Sequence, residues 1–250
     1  MLMGEAGEPK GAHRHDFVAS TRRIRLTESI QRIRMPNMTK PTASGWREAR
    51  RQSAREAIVD AAWDLAHEQG MVMWSLRDLA TRAGITTPTV YAYFDSKHAI
   101  YDAMFGRAAT DFAEDMSRPY GVEGSREQLV AYSRRFFEFC TSDAPRYQLL
   151  FQRTIPGFTP TPDSYAPSVR ALKHLKQILA DNGITEEGHL DLATALIGGL
   201  VSQQISNDPG GMRWLGLVDE AIEMFLAHCQ TPDATRPPTS RPSRTTGVRG

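Results

Sequence analysis

Only two cysteines, Cys140 and Cys229, occur in the 250 residues, and their separation suits no paired metal-ligand spacing. Free thiols in a reducing cytoplasm are the simplest reading, and the sequence alone leaves a disulfide open. An excess of one charge is also missing: 30 lysines and arginines face 29 aspartates and glutamates, a formal net charge of +1. Affinity for a polyanion must then come from a local cluster of charge rather than from the chain as a whole. Long apolar runs are absent too. The longest apolar-leaning stretch, 192–201, is interrupted by Thr194, Gly198 and Gly199, and falls short of the ~20 residues of a membrane span. The first residues lack the apolar core of a signal peptide, so a cytoplasmic location with no membrane partner is expected.

Catalytic motifs are equally scarce. There is no Gly-rich phosphate loop, no pair of histidines one helical turn apart around a glutamate, and no nucleophile elbow. His67 and Glu68 have no second histidine four residues on, and His98, His174, His189 and His228 stand isolated. No catalytic residue, metal ligand or cofactor is expected, and the protein is read as a non-enzyme. Alternating strand patterns are missing as well, which leaves an all-α chain.

What the sequence does contain is a stretch from Ser75 to Phe94 that reads as two short helices joined at Ala83, Gly84 and Ile85. The Ser75 hydroxyl can accept from N–H groups of the first turn, with Asp78 near the positive helix end. Leu76, Leu79 and Ala80 share one face, and Gly84 supplies a left-handed stop. Thr86 or Thr87 caps the second helix, where Pro88 is tolerated in the first turn. Helix, tight turn and helix make a helix-turn-helix, whose second member lies in the DNA major groove in such motifs. Val90 and Phe94, with Ile85, Leu76 and Leu79, should close a small core. The opposite side of the second helix is centred on Pro88 and Ala92, with Thr89 and Tyr91 flanking and Tyr93 nearer the edge.

Ahead of this pair, 47–69 reads as a helix with Ile58, Ala61, Ala62, Leu65 and Ala66 on one face and Glu56, Asp60, Asp64 and Glu68 on another. Arg47, Arg50, Arg51 and Arg55 crowd its first turns, where they can grip phosphate or simply form a solvated face. Residues 71–74 form a hydrophobic connection expected to wedge this helix against the next two. Downstream, helices are expected at 97–117, 128–141, 145–154, 164–181, 186–206 and 212–228, separated by Gly and Pro signals. The domain plan is a basic arm at 1–44, a helix-turn-helix domain at 45–96, a helical ligand-binding and dimerisation domain at 97–230, and a Pro/Arg-rich tail at 231–250. The arm reads as a mobile tail, an extension upstream of a start at Met35 or Met38, or a DNA-embracing segment.

Ala57 to Leu65, the Gly70 break, Ser75 to Ile85 and Thr89 to Lys97, with its Tyr-x-Tyr-Phe-x-Ser-Lys ending, resemble the N-terminal domain of the tetracycline-repressor (TetR) family of bacterial transcription regulators. The resemblance covers roughly 50–105. It implies an all-α homodimer that binds a palindromic double-stranded DNA operator and holds a small-molecule effector in its larger domain. Repression is the commonest behaviour in that family, and activation occurs too. By similarity, Ser75, Arg77, Thr87, Thr89, Tyr91, Tyr93 and Lys97 match positions that touch DNA. Arg55, Thr86, Pro88 and Ala92 complete the candidate DNA set, the last two as partners for thymine methyl groups.

The reading face has no Arg, Asn or Gln, the side chains that discriminate bases bidentately, so phosphate positioning, methyl contacts and operator shape should carry specificity. Phe105, Phe136, Phe139, Leu150, Phe151, Leu175 and Leu196 are the candidate walls of a pocket for a small, largely apolar effector, with plain core packing as the alternative. The helices at 190–204 and 212–229 are apolar over a broad arc, which a two-fold dimer would cover. A helical interaction or scaffold protein that binds no DNA is the competing function; it accounts for the bundle but not for a capped, turn-linked helix pair with a polar outer face.

Overall fold

The computed structural model describes residues 43–230, and they are all-α, with no strand among them. The expected arm, apart from its last two residues, and the expected tail lie outside the described residues. Helix α1 spans Ala43–Gln69 and stops at Gly70. Helices α2 (Leu76–Arg82) and α3 (Thr87–Tyr91) follow, then α4 (Lys97–Ser117). The remaining helices are α5 (Ser125–Thr141), α6 (Ala144–Phe151), α7 (Pro162–Asp181), α8 (Glu187–Asn207) and α9 (Val218–Gln230).

Two clusters of buried side chains organise the bundle. The first joins Ile58, Ala62, Leu65 and Ala66 of α1 to Leu79, Val90 and Phe94, and continues along α4 through Ile100, Met104 and Ala108. Leu149 of α6 and Ile155 of the α6–α7 loop enter the same cluster. The helix-turn-helix and the lower part of the second bundle therefore share one core, and a boundary at 96/97 is crossed by continuous packing. The second cluster gathers Phe112, Met116, Leu129, Phe137, Leu175, Ile178, Ile197, Val201, Ile222 and Phe225 from α4, α5, α7, α8 and α9.

The acidic stripe of α1 meets arginines. Asp60 pairs with Arg107 of α4, and Arg82 of α2 reaches both Glu68 and Asp64. The Arg82 guanidinium holds the Glu68 carboxyl below its ordinary value. Each of these pairs is solvent-exposed and of modest energy, about 0–1 kcal/mol; the rotation of α1 is fixed by its buried face, Ile58, Ala62, Leu65 and Ala66.

Three expectations need correction. Residues 71–74 do not wedge as a block: Met71 and Trp74 are buried, whereas Val72 and Met73 are 44% and 78% exposed. A tight turn at 71–73 swings the middle pair outward. Helix α5 starts at Ser125 rather than 128, because Gly124, at φ +94°, turns the chain directly into it. The helix expected from 212 begins only at Val218. Gln204 Oε1 accepts from the Trp214 N–H at 2.9 Å and Asp208 Oδ2 from the Arg213 N–H at 3.0 Å, which holds that segment in turns. A short 3-10 turn, Leu215–Leu217, then leads into α9, whose Asp219 and Glu220 suit the positive end of its dipole.

Candidate nucleic-acid interface

The Ser75 cap is reciprocal. Its Oγ accepts from the Asp78 N–H at 3.2 Å, while Asp78 Oδ2 accepts from the Ser75 N–H at 2.8 Å and its hydroxyl at 2.7 Å. This capping box fixes the entry of α2, and the hydrogen bonds from Ser75 hold the Asp78 carboxyl below its ordinary value. At the other end, the Ala83 N–H donates to Leu79 O and the Ile85 N–H to Ala80 O, closing the helix around Gly84. Gly84 sits at φ +67°, a conformation any side chain would strain.

Thr86, not Thr87, caps α3: its Oγ1 accepts from the Thr89 N–H and lies 2.8 Å from Thr89 Oγ1. Val90 and Phe94 anchor the helix in the core. Tyr91 stands 52% exposed on the far side with Ala92 beside it, so it is no core aromatic. Thr87, Thr89 and Tyr93 are half-buried, and Pro88 is exposed in the first turn.

Arg55 and Lys97 turn inward rather than toward the groove face. The Arg55 guanidinium donates to the carbonyl of Tyr93 and lies 4.1 Å from the Phe94 ring centroid, tying α1 to the end of α3. Lys97 donates to Val72 O at 3.0 Å and to Trp74 O, with its ammonium 4.1 Å from the Trp74 ring centroid. Burial lowers the Lys97 pKa, opposed by the charge of Asp78. Both cations brace the helix pair α2–α3, and neither position was legible from residue type.

A shallow depression beside α3 is lined by Arg47, Arg50, Arg51, Pro88, Thr89, Ala92 and Tyr93. Three arginines thus border the exposed edge of the second helix, with Arg50 and Arg51 exposed. Ser75 and Arg77 are exposed at the head of α2. In the sequence, i, i+3, i+4 spacing already set Arg47, Arg50 and Arg51 on one face; the packing of α1 decides which way that face looks.

The larger part of the bundle encloses a cavity of about 230 Å³ between α4, α5, α6, α7, α8 and α9. Phe136, Leu150, Phe151 and Leu175 line it, with Phe112, Tyr132, Ser133, Tyr165, Ser168 and Thr194. Three expected walls lie elsewhere. Phe105 faces a neighbouring cavity of about 200 Å³. Phe139 packs on Phe112 and under the Arg146 guanidinium, and Leu196 is a half-buried neighbour of the second core. Tyr132 and Cys140 are desolvated by burial, which pushes both pKa values up and keeps them neutral.

On the outside of this bundle, Leu192 of α8 is 41% exposed and Met224 of α9 is 62% exposed. Nothing approaches within 4 Å of where a Cβ would stand on Gly198 or Gly199, so that side of α8 is open and flat.

Residues 58–104 match the family of bacterial regulatory proteins named tetR. The HTH-type transcriptional activator FasR of Mycolicibacterium smegmatis is 26% identical over 103 residues, 41% of this chain and 47% of that protein. The tetracycline repressor protein class D of Escherichia coli is 40% identical over 50 residues, 20% of this chain and 23% of that protein. The chain thus spans about half the length of FasR and less of the repressor. In fold it is similar to the crystal structure of the transcriptional regulator FadR from Bacillus subtilis in complex with stearoyl-CoA. That likeness has a TM-score of 0.57 at 20% identity and covers 69% of this chain and 97% of that one. With its capped helix pair, the Gly84 turn and a matched segment that runs from α1 into α4, the stretch 58–104 is similar to the tetR family of bacterial regulatory proteins.

Proposed function

We propose that the protein is a sequence-specific DNA-binding transcriptional regulator, a ligand-responsive repressor that binds a palindromic operator as a homodimer in the cytoplasm. The observation that carries this reading is the exposed face of α3, with Pro88, Thr89, Tyr91, Ala92 and Tyr93, bordered by Arg47, Arg50 and Arg51. Ser75, Arg77 and Thr87 extend it. The arginines suit phosphates on the groove wall; the small and hydroxyl-bearing side chains suit methyl groups, phosphates and base edges. Arg55, Thr86 and Lys97 hold the face in place, and the donor capacity Lys97 retains is available to a phosphate.

The open sides of α8 and α9 supply the two-fold interface, with Leu192 and Met224 as its exposed apolar anchors. In that dimer the two reading heads have to span about 34–36 Å, or a multiple, to enter successive major grooves. The effector occupies the cavity walled by Phe136, Leu150, Phe151 and Leu175. Tyr165 and Ser168, on the early turns of α7, line the same cavity, and α7 is the helix most extensively packed on α4. An effector that displaces α7 therefore tilts the helix carrying the reading head.

A mobility-shift titration on DNA flanking the protein's own gene tests the reading. A discrete complex is expected, weakened uniformly as salt rises, and more weakly formed by Tyr91→Ala at unchanged melting temperature. A folded protein with no complex on any flanking fragment would favour the helical interaction module instead.

A further inference from the structure

Two cavities that share a wall lie under the α6–α7 connection, and their linings differ in charge. The first, about 230 Å³, has no charged side chain among its lining residues; its polar groups are hydroxyls such as Tyr132, Ser133 and Thr194. The Ser133 hydroxyl already donates to Leu129 O, and Thr194 Oγ1 to Asp191 O. The second, about 200 Å³, is lined by Phe105, Ile155 and Phe158 and carries a single charged residue, Arg153. Leu150, Phe151 and Tyr165 line both. The partition is thus made of side chains from the last turn of α6 and the first turn of α7, not of backbone. Arg153 is exposed and has no hydrogen-bond or ion-pair partner among the described residues.

We propose that the two cavities form one elongated effector site for an anionic amphiphile, its apolar chain in the first cavity and its negative headgroup at Arg153 in the second. The inference rests on the reading of this bundle as the effector-binding part of a regulator. A charged end of either sign has no counter-charge in the first cavity and must leave it, and the exit past Tyr165 leads to the Arg153 guanidinium, which suits an anion. At ~30 Å³ for each water-sized group, the first cavity takes roughly eight such groups, so a chain of about a dozen carbons fills it and extends past the rim. The second cavity also explains how occupancy is felt. Phe158, one of its walls, packs against His98, Tyr101 and Phe105 on the first turns of α4, and Ile155 is in the core of the reading head.

Isothermal titration of the full-length protein with submicellar dodecanoate, dodecan-1-ol and dodecylammonium tests the assignment. Dodecanoate should bind about three- to fivefold more tightly than the alcohol, the size of an exposed ion pair, and dodecylammonium most weakly. Arg153→Gln should bring dodecanoate to the level of the alcohol. Ser168→Phe, or Thr194→Phe if the first variant is unstable, should weaken both ligands by filling the apolar cavity. Equal binding of acid and alcohol by the unaltered protein, a preference that survives Arg153→Gln, binding that survives cavity filling, or no binding of either ligand would each overturn it. Failure of the regulator reading is separate: the unaltered protein would then bind no operator fragment, whatever its ligand ranking.

Discussion

The carboxylate of Asp102, on the second turn of α4, accepts from both the backbone N–H of Thr161 at 2.7 Å and its hydroxyl at 2.9 Å. It accepts from the Ser164 hydroxyl as well, at 2.8 Å. Thr161 caps α7, so one side chain of α4 fastens the start of the helix that walls the larger cavity. Gly106 completes the clamp, since a Cβ there would stand 3.1 Å from Ser164 Oγ. Asp102→Ala removes three acceptor bonds and should cost about 1–3 kcal/mol in urea denaturation. Asp102→Asn, which keeps one acceptor oxygen, should cost less. Equal stability of all three proteins would show that the clamp is not formed in solution.

The two kinds of arginine on α1 should behave oppositely. Arg50→Ala removes an exposed side chain beside α3 and should leave the melting temperature unchanged while lowering operator affinity and reducing the salt slope by about 1. Arg55→Ala breaks the bond to the Tyr93 carbonyl and the contact with Phe94, and should lower stability by about 1–3 kcal/mol. Its loss of DNA affinity should follow from a misplaced α3. Denaturation and mobility shift on the same two variants separate gripping from positioning.

The helix-turn-helix was legible because its signals are local. A capping serine, a glycine where φ is positive and a proline in a first turn each act within a few residues, and Val90 and Phe94 announced the buried side by spacing alone. Arg55 and Lys97 were not legible in the same way. Both have the chemistry of phosphate ligands, and only tertiary packing brings Arg55 to the end of α3 and Lys97 to the carbonyls before α2. The start of α9 was not legible because apolar periodicity continues through Trp214 and Leu217, across Gly216 and the 3-10 turn Leu215–Leu217 that precedes the helix. The cavity was half legible: aromatic content marked Phe136 and Phe151, but which aromatics face an empty space depends on helix rotation.

The capping box makes a pH prediction. Hydrogen bonds from Ser75 depress the Asp78 carboxyl below 3.8 in the folded state, so its stabilising effect is fully present above that value and disappears as pH falls through the lower, folded-state value. Asp78→Asn should therefore melt below the parent protein at pH 7, and the gap should narrow steadily as the pH is taken from 5 toward 3. A gap independent of pH would mean that the charge of Asp78 plays no part.

Dimerisation is tested on the open faces of α8 and α9. Leu192→Glu combined with Met224→Glu places carboxylates where two apolar surfaces should meet, and light scattering should report half the parent mass. Operator affinity should fall by several orders of magnitude, because each head then binds its half-site alone. Retention of the dimer would place the interface elsewhere.

The central claim is that the α3 face and the arginines of α1 together read DNA, and selection of genomic fragments by the purified protein, followed by footprinting, tests it most directly. The account predicts enrichment of fragments holding an inverted repeat, protection of two successive major grooves on one side of the duplex, and loss of enrichment with Tyr91→Ala and Arg50→Ala proteins that remain folded dimers. Enrichment of no fragment by the folded parent dimer, or an unchanged footprint with both variants, would contradict it.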